Sequence, residues 1–214
     1  MRLKHQLFIL FVASVLQIPF SPVNAQDKDH GFMVMVRTDK AEIPTRFFVN
    51  EENRGCLGYG EYNHPAIPAD MTGEIFIPDS ITTPDGQRLD VYAITRGAFE
   101  GCRKISKIHL PNTIQYISDY SFQNCSSLRE ITLPAYIKTI YPQAFKGCNA
   151  LKRVIMRSID PPFVYREGLF DENSTATMTI VCPIFTVQNY RDNWYFSNFR
   201  YHTELIPIYS EQKP

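Results

Sequence analysis

Apolar positions in the middle of the chain recur every 23 residues. Phe99-Glu-Gly-Cys102, Phe122-Gln-Asn-Cys125 and Phe145-Lys-Gly-Cys148 are one short phrase written three times. The neighbouring apolar residues keep step: Ile105, Leu128 and Leu151; Ile108, Ile131 and Val154; Leu110, Leu133 and Met156. Pro111 pairs with Pro134, Ile114 with Ile137, and Ile117 with Ile140. A unit this short cannot bury its apolar side alone. The period therefore predicts coils that stack into a solenoid around a continuous core. The alternation Ile108-His109-Leu110 predicts that each coil contains a strand with one face turned inward.

The rest of the chain departs from the period in ways that predict its ends. Phe32-Met-Val-Met-Val36, Arg46-Phe-Phe-Val49 and Cys56-Leu-Gly-Tyr-Gly60 read as three strands, with Asn50-Glu-Glu-Asn-Arg-Gly55 as the turn between the last two. Residues 26–73 are expected to form a β cap over the first coil. Ile75-Phe-Ile77-Pro78 matches Ile108-His-Leu110-Pro111, but ten residues are inserted between Ile81 and Ile94. They include Thr83-Pro-Asp-Gly86, a turn sequence, and predict a projecting β-hairpin. The solenoid proper is placed at 74–157, and an irregular last repeat with a terminal cap at 158–209. Phe170 is a displaced copy of the repeat phenylalanine, and Thr179-Ile-Val-Cys182-Pro183 repeats the strand-and-proline rhythm. Thr186 to Trp194 carries Val187, Tyr190 and Trp194 at helical spacing. Phe196, Phe199, Leu205 and Ile206 are expected to seal the far end, and 210–214 is a polar tail.

Residues 1–25 have the form of a signal peptide: basic Arg2, Lys4 and His5, an apolar run Leu7–Leu16, then small residues up to Ala25. The run is too short to span a bilayer, and no later stretch is long and apolar enough to be a membrane helix. The expected location is secreted, or at the cell surface or periplasm after cleavage.

Charge and cysteines sharpen this picture. The chain has 22 basic and 22 acidic side chains, a balance that argues against a nucleic-acid binder. Five cysteines are an odd count for an exported protein. Stacked coils bring equivalent residues about 4.8 Å apart with parallel Cβ vectors, a poor geometry for a disulfide. Cys102, Cys125 and Cys148 are therefore expected as a column of buried thiols. The close Cys pairs of structural zinc are missing, so no metal or other cofactor is expected. A Cys56–Cys182 disulfide would have to bridge the length of the solenoid, which argues against it.

Residues 108–134, from Ile108-His-Leu-Pro through Tyr116-Ile117, Phe122 and Cys125 to Leu128 and Pro134, resemble the BspA-type leucine-rich repeat. The family's pattern is I-x-I/L-P-x-x-V/I-x-x-I-G-x-x-A-F-x-x-C-x-x-L. The inserted hairpin resembles the family's opening repeat, and Pro161-Pro162, Cys182-Pro183, Tyr190 and Trp194 resemble its terminal unit, so the likeness covers about residues 73–206. The glycine after the repeat isoleucine is replaced by Thr95, Ser118 and Tyr141. The fold expected is a β-rich leucine-rich-repeat solenoid of 23-residue repeats and about four turns, with an N-terminal β cap and a C-terminal strand and short-helix cap. The resemblance implies a secreted or cell-surface protein, with adhesion to host matrix proteins or other cells as the proposed role of its members.

Alternation along the strands defines two outward columns. Glu74, Lys107, Glu130 and Arg153 alternate in sign along the stack, with Thr179 next in line, and are expected to compensate one another. Phe76, His109, Thr132, Ile155 and Val181 form a more apolar column. That column is the candidate partner-binding face; the competing reading has the N-terminal cap or a loop covering it. No metalloprotease, nucleophile-elbow or phosphate-loop motif occurs, and the repeat cysteines are core positions, so no catalytic residues are assigned. The sequence thus predicts a non-enzymatic binding scaffold for a protein or glycan partner, such as host extracellular matrix or a cell surface. A structural component of a cell-envelope complex is the alternative, and an uncharacterised hydrolase a weaker one.

Overall fold

The structure, a computed structural model, describes residues 31–59, 64–165, 168–171 and 178–204. The expected signal segment at 1–25, the tail at 210–214 and the expected seals Leu205 and Ile206 lie outside the described residues. Strands β1 (Phe32–Thr38), β2 (Glu42–Val49) and β3 (Gly55–Leu57) form an antiparallel meander. The β2–β3 turn is held by Asn50, whose Oδ1 accepts the N–H groups of Glu52 and Arg54 at 3.2 and 2.9 Å. β4 (Thr72–Phe76) opens the first coil. β5 (Ser80–Thr82) and β6 (Arg88–Ile94) are the two arms of the inserted hairpin. Its turn closes through Gly86 N–H to Thr83 O, 2.9 Å, at a positive φ of 89° that suits glycine.

The following coils each contribute a longer and a shorter strand: β7 (Lys104–His109) and β8 (Tyr116–Ile117), β9 (Glu130–Leu133) and β10 (Thr139–Ile140), β11 (Arg153–Met156) and β12 (Phe163–Val164). β13 (Thr179–Pro183), helix α1 (Val187–Asp192) and β14 (Arg200–Glu204) complete the described chain. A corner separates the two strands of a coil. Proline has no N–H to continue the ladder, and the carbonyls of Pro111 and Pro134 accept Ile114 and Ile137 N–H, both at 3.3 Å.

The period becomes register. Lys107 lies beside Glu130, Glu130 beside Arg153, and Arg153 beside Thr179, all in parallel pairing. The longer strands make one parallel ladder, β4-β7-β9-β11-β13-β14, and the shorter strands another, β6-β8-β10-β12. The N-terminal meander joins them: β1 pairs antiparallel with β4, and β3 pairs parallel with β6. The cap therefore bends round the first coil as part of the same sheet path, with Phe47 and Leu57 fully buried beneath it.

A third wall is built by the repeated phrase itself. The N–H groups of Phe99, Phe122 and Phe145 donate to Ser121, Ala144 and Leu169 of the next coil, at 2.7, 2.8 and 2.9 Å. The rings stack, with Phe99–Phe122 centroids 5.2 Å apart and Phe122–Phe145 centroids 5.1 Å apart, tilted by only 6° and 2°. Phe170 continues the column at 5.5 Å, as its displaced place in the sequence suggests. Two positions per coil are left-handed: Gly101, Asn124 and Gly147 at one, with φ from 61° to 75°, and Gly97, Tyr120, Gln143 and Gly168 at the other, with φ from 56° to 72°. Thr95, Ser118 and Tyr141, which replace the usual glycine, lie two residues earlier and have no positive φ. At the first of these positions the hydroxyl is used: Thr95 Oγ1 donates to Leu57 O at 2.9 Å.

All five cysteines are buried and free, including Cys56 and Cys182. The far end is closed by Tyr190, Phe196 and Phe199, with the Tyr190 hydroxyl 2.7 Å from Ser158 Oγ.

Candidate binding faces

The outward faces of the longer strands make a continuous surface. On it Glu130 and Arg153 form the expected inter-coil ion pair, 3.0 Å between Oε2 and Nε. Glu74 turns its carboxylate diagonally instead, to His109 Nε2 at 2.7 Å. The His109 ring lies flat on Phe76, with centroids 4.2 Å apart and an interplanar angle of 5°. Arg37 of β1 covers Phe76 from the other side, its guanidinium carbon 4.3 Å from the ring centroid. The result is a three-layer stack of Arg37, Phe76 and His109, with Glu74 fixing the imidazole.

Four of the five residues of the expected stripe lie where the sequence places them. Phe76, His109, Thr132 and Ile155 are partly exposed, in register from β4 to β11. The fifth is a correction: Val181 is fully buried. It lies between Ile155 on β11 and His202 on β14, and the short valine side chain is hidden in a strand flanked on both sides. The cap does not cover the stripe. β1 joins edge to edge beside β4, and its own outward residues Met33 and Met35 are 45% and 48% exposed. They extend the stripe from Ile155 through Phe76 and Arg37 onto the cap. Alternation in Met33-Val-Met35-Val-Arg37 carried the signal for this extension, but only the β1–β4 pairing shows which face it joins.

The family model for the BspA type leucine rich repeat region matches residues 75–199, in six copies. The chain belongs to the BspA-type leucine-rich repeat family. A leucine-rich repeat protein from Bacteroides capillosus is similar at 25% identity with a TM-score of 0.50, covering 70% of this chain and 97% of that one. A leucine rich cell surface protein from Faecalibacterium prausnitzii is 19% identical over 72% of this chain and 44% of its own length, with a TM-score of 0.43. The Treponema pallidum leucine rich repeat protein is 16% identical over 76% of this chain and 80% of that one, with a TM-score of 0.47. No curated protein matches the sequence. BspA-type proteins are typically surface-exposed, and membership supports a binding scaffold.

The thiols of this BspA-type chain are part of its core. Burial pushes Cys56, with the nearby Glu52 charge adding to it, and Cys102 up to about 12. Cys125 is raised further, first by its hydrogen bond with Cys148 and then by burial. Burial also raises Cys182. Thiols held this strongly protonated are poor nucleophiles. Among the described residues no group of three His, Cys, Asp or Glu side chains could hold a metal ion, and no helix is long and apolar enough to cross a membrane.

The shorter-strand ladder has a separate feature that the repeat pattern did not suggest. Tyr92 on β6 and Tyr116 on β8 approach with ring centroids 5.1 Å apart. Burial and a hydrogen bond to Tyr116 hold the Tyr92 phenol protonated, pushed up to about 12. Arg54, from the β2–β3 turn, lies over Tyr92 with its guanidinium carbon 4.8 Å from the ring centroid.

Proposed function

We propose that this protein is an exported, non-enzymatic binding scaffold that recognises a host or cell-surface protein or glycan through the longer-strand ladder. The observation that carries the reading is the row Met35, Phe76, His109, Thr132 and Ile155, which runs across the cap and the coils on one sheet face. Its aromatic and apolar members stand in a flat, sheet-held row, and the Arg37–Phe76–His109 stack holds its centre in one geometry. A rigid surface loses little side-chain freedom on binding, which favours affinity. Membership in a family of typically surface-exposed proteins supports export.

The test is capture of host extracellular proteins and of the producer's own envelope proteins by the chain without residues 1–25. Phe76→Glu combined with Ile155→Glu should abolish capture while the melting curve stays cooperative. Capture that is unchanged by this pair removes the stripe as the site. Retention of envelope proteins alone supports the assembly role instead.

A further inference from the structure

The β2–β3 turn overhangs the start of the shorter-strand ladder and forms a cleft of about 500 Å³ lined by Asn50, Glu51, Glu52, Tyr92 and Tyr116. We propose that this cleft binds a neutral sugar of a glycan chain, with the tyrosines as its aromatic walls and the glutamates accepting from its hydroxyls. The proposal goes beyond the stripe reading: it adds a second ligand site, on a face distinct from the Phe76 stripe.

Charge decides among ligand types. An anionic ligand would meet Glu51 and Glu52, both exposed at the rim. A cationic side chain would be drawn to the tyrosine face, but Arg54 already fills the cation position over Tyr92. A neutral polyol suits the remaining set. Its hydroxyls can donate to the carboxylates and accept from Arg54 and the phenols, and its C–H faces can pack on the rings. Aromatic walls with a few convergent polar groups are the usual make-up of a small-ligand site. The two rings stand close together, with centroids 5.1 Å apart and planes tilted by 54°, on paired strands of one ladder.

The same ladder supplies further rings along the solenoid axis. Tyr116 is in register with Thr139 and Phe163 on the next two rungs. Phe163 is 58% exposed and meets Tyr165 edge-on at 5.0 Å, and Tyr165 stacks on Tyr141 at 5.2 Å. Rungs about 4.8 Å apart thus continue an aromatic track away from the cleft, which fits an extended chain of sugars better than a single one.

Affinity electrophoresis of the full chain through gels containing a β-glucan, a galactomannan or amylose tests the proposal. At least one of these neutral polysaccharides should retard the protein. Tyr116→Ala should weaken that retardation about tenfold or more, equivalent to ~1.4 kcal/mol. Glu51→Gln, in an exposed turn and remote from the core, should weaken it several-fold, and it keeps the test valid if Tyr116→Ala folds poorly. Phe76→Glu with Ile155→Glu should leave glycan retardation unchanged, which separates this cleft from the stripe. No retardation by any of the three polysaccharides overturns the proposal. So does retardation that survives both cleft variants, or cleft-dependent binding to polylysine or heparin in place of the neutral polysaccharides.

Discussion

The Cys148 thiol donates to the carbonyl of Phe122 in the preceding coil at 3.1 Å, and that same carbonyl accepts the N–H of Cys125 within its own turn at 3.2 Å. Cys125 repeats the arrangement one coil earlier, with its thiol 3.2 Å from Phe99 O. The repeat cysteine is thus a small apolar filler that also caps a carbonyl the stacking would leave half-used. Cys125→Ala should lose both the volume and the bond and lower stability by about 1–2 kcal/mol. The midpoint of urea unfolding measures it, with the slope unchanged. An effect near zero would show that the thiol contact adds nothing beyond a spacer.

Thiol ionisation sets a pH dependence whose sign follows from burial. In the unfolded chain Cys56 and Cys102 lose their protons near their ordinary value of 9.0; in the fold they hold them up to about 12. The folded state therefore binds more protons across that window. Stability is fully present below pH 9 and falls as pH rises towards 12. Unfolding midpoints at pH 8, 9 and 10 should decrease in that order, and the decrease should shrink in Cys56→Ala with Cys102→Ala. Labelling by a thiol reagent at pH 8 should be slow in the folded protein and rapid in denaturant.

Much of this fold is legible because its core is periodic. Phe99, Phe122 and Phe145 recur every 23 residues, and so does the register of Lys107, Glu130 and Arg153. The hairpin at Thr83–Gly86 is legible because turn chemistry is local. Pairing between distant, non-equivalent strands leaves no such trace. Arg37 reaches Phe76 only because β1 pairs with β4, and no spacing encodes that. Val181 alternates outward by sequence, but β14 beside it reads Arg200-Tyr-His-Thr-Glu204, with little apolar alternation to announce a strand. The tyrosine cleft is hidden for a related reason: the repeat aligns Tyr116 with Ala93, and Tyr92 meets it from one position off.

Gln143 sits in the left-handed region at φ 56°, at the place in the coil where Gly97 and Gly168 stand. A side chain there carries about 1–2 kcal/mol of backbone strain, and glycine would remove it. Glycine also adds freedom to the unfolded chain, worth roughly 0.4–1 kcal/mol in the opposite direction. Among the described residues the Gln143 side chain accepts an exposed bond from Lys146 Nζ at 3.2 Å, which contributes little. Gln143→Gly should therefore raise stability by about 0.5–1 kcal/mol. Gln143→Ala, which keeps the strain, should not. Thermal melting of the two variants side by side makes the comparison.

Val181 and Thr132 occupy equivalent outward places in one register, yet Val181 is fully buried and Thr132 is partly exposed. A carboxylate at position 132 can reach water, and surface changes of this kind usually stay within about 0.5 kcal/mol. At position 181 it would be enclosed between Ile155 and His202 on adjacent strands. An ionised group enclosed there loses hydration, which costs far more than the same group at an exposed position. Val181→Asp should lower stability by about 3 kcal/mol or more, and Thr132→Asp by less than about 1 kcal/mol. The gap should narrow as pH falls towards about 4, because burial makes the carboxyl at position 181 take up its proton above its ordinary value. Equal effects of the two substitutions would mean that β14 does not enclose β13, and that the stripe extends to Val181 after all.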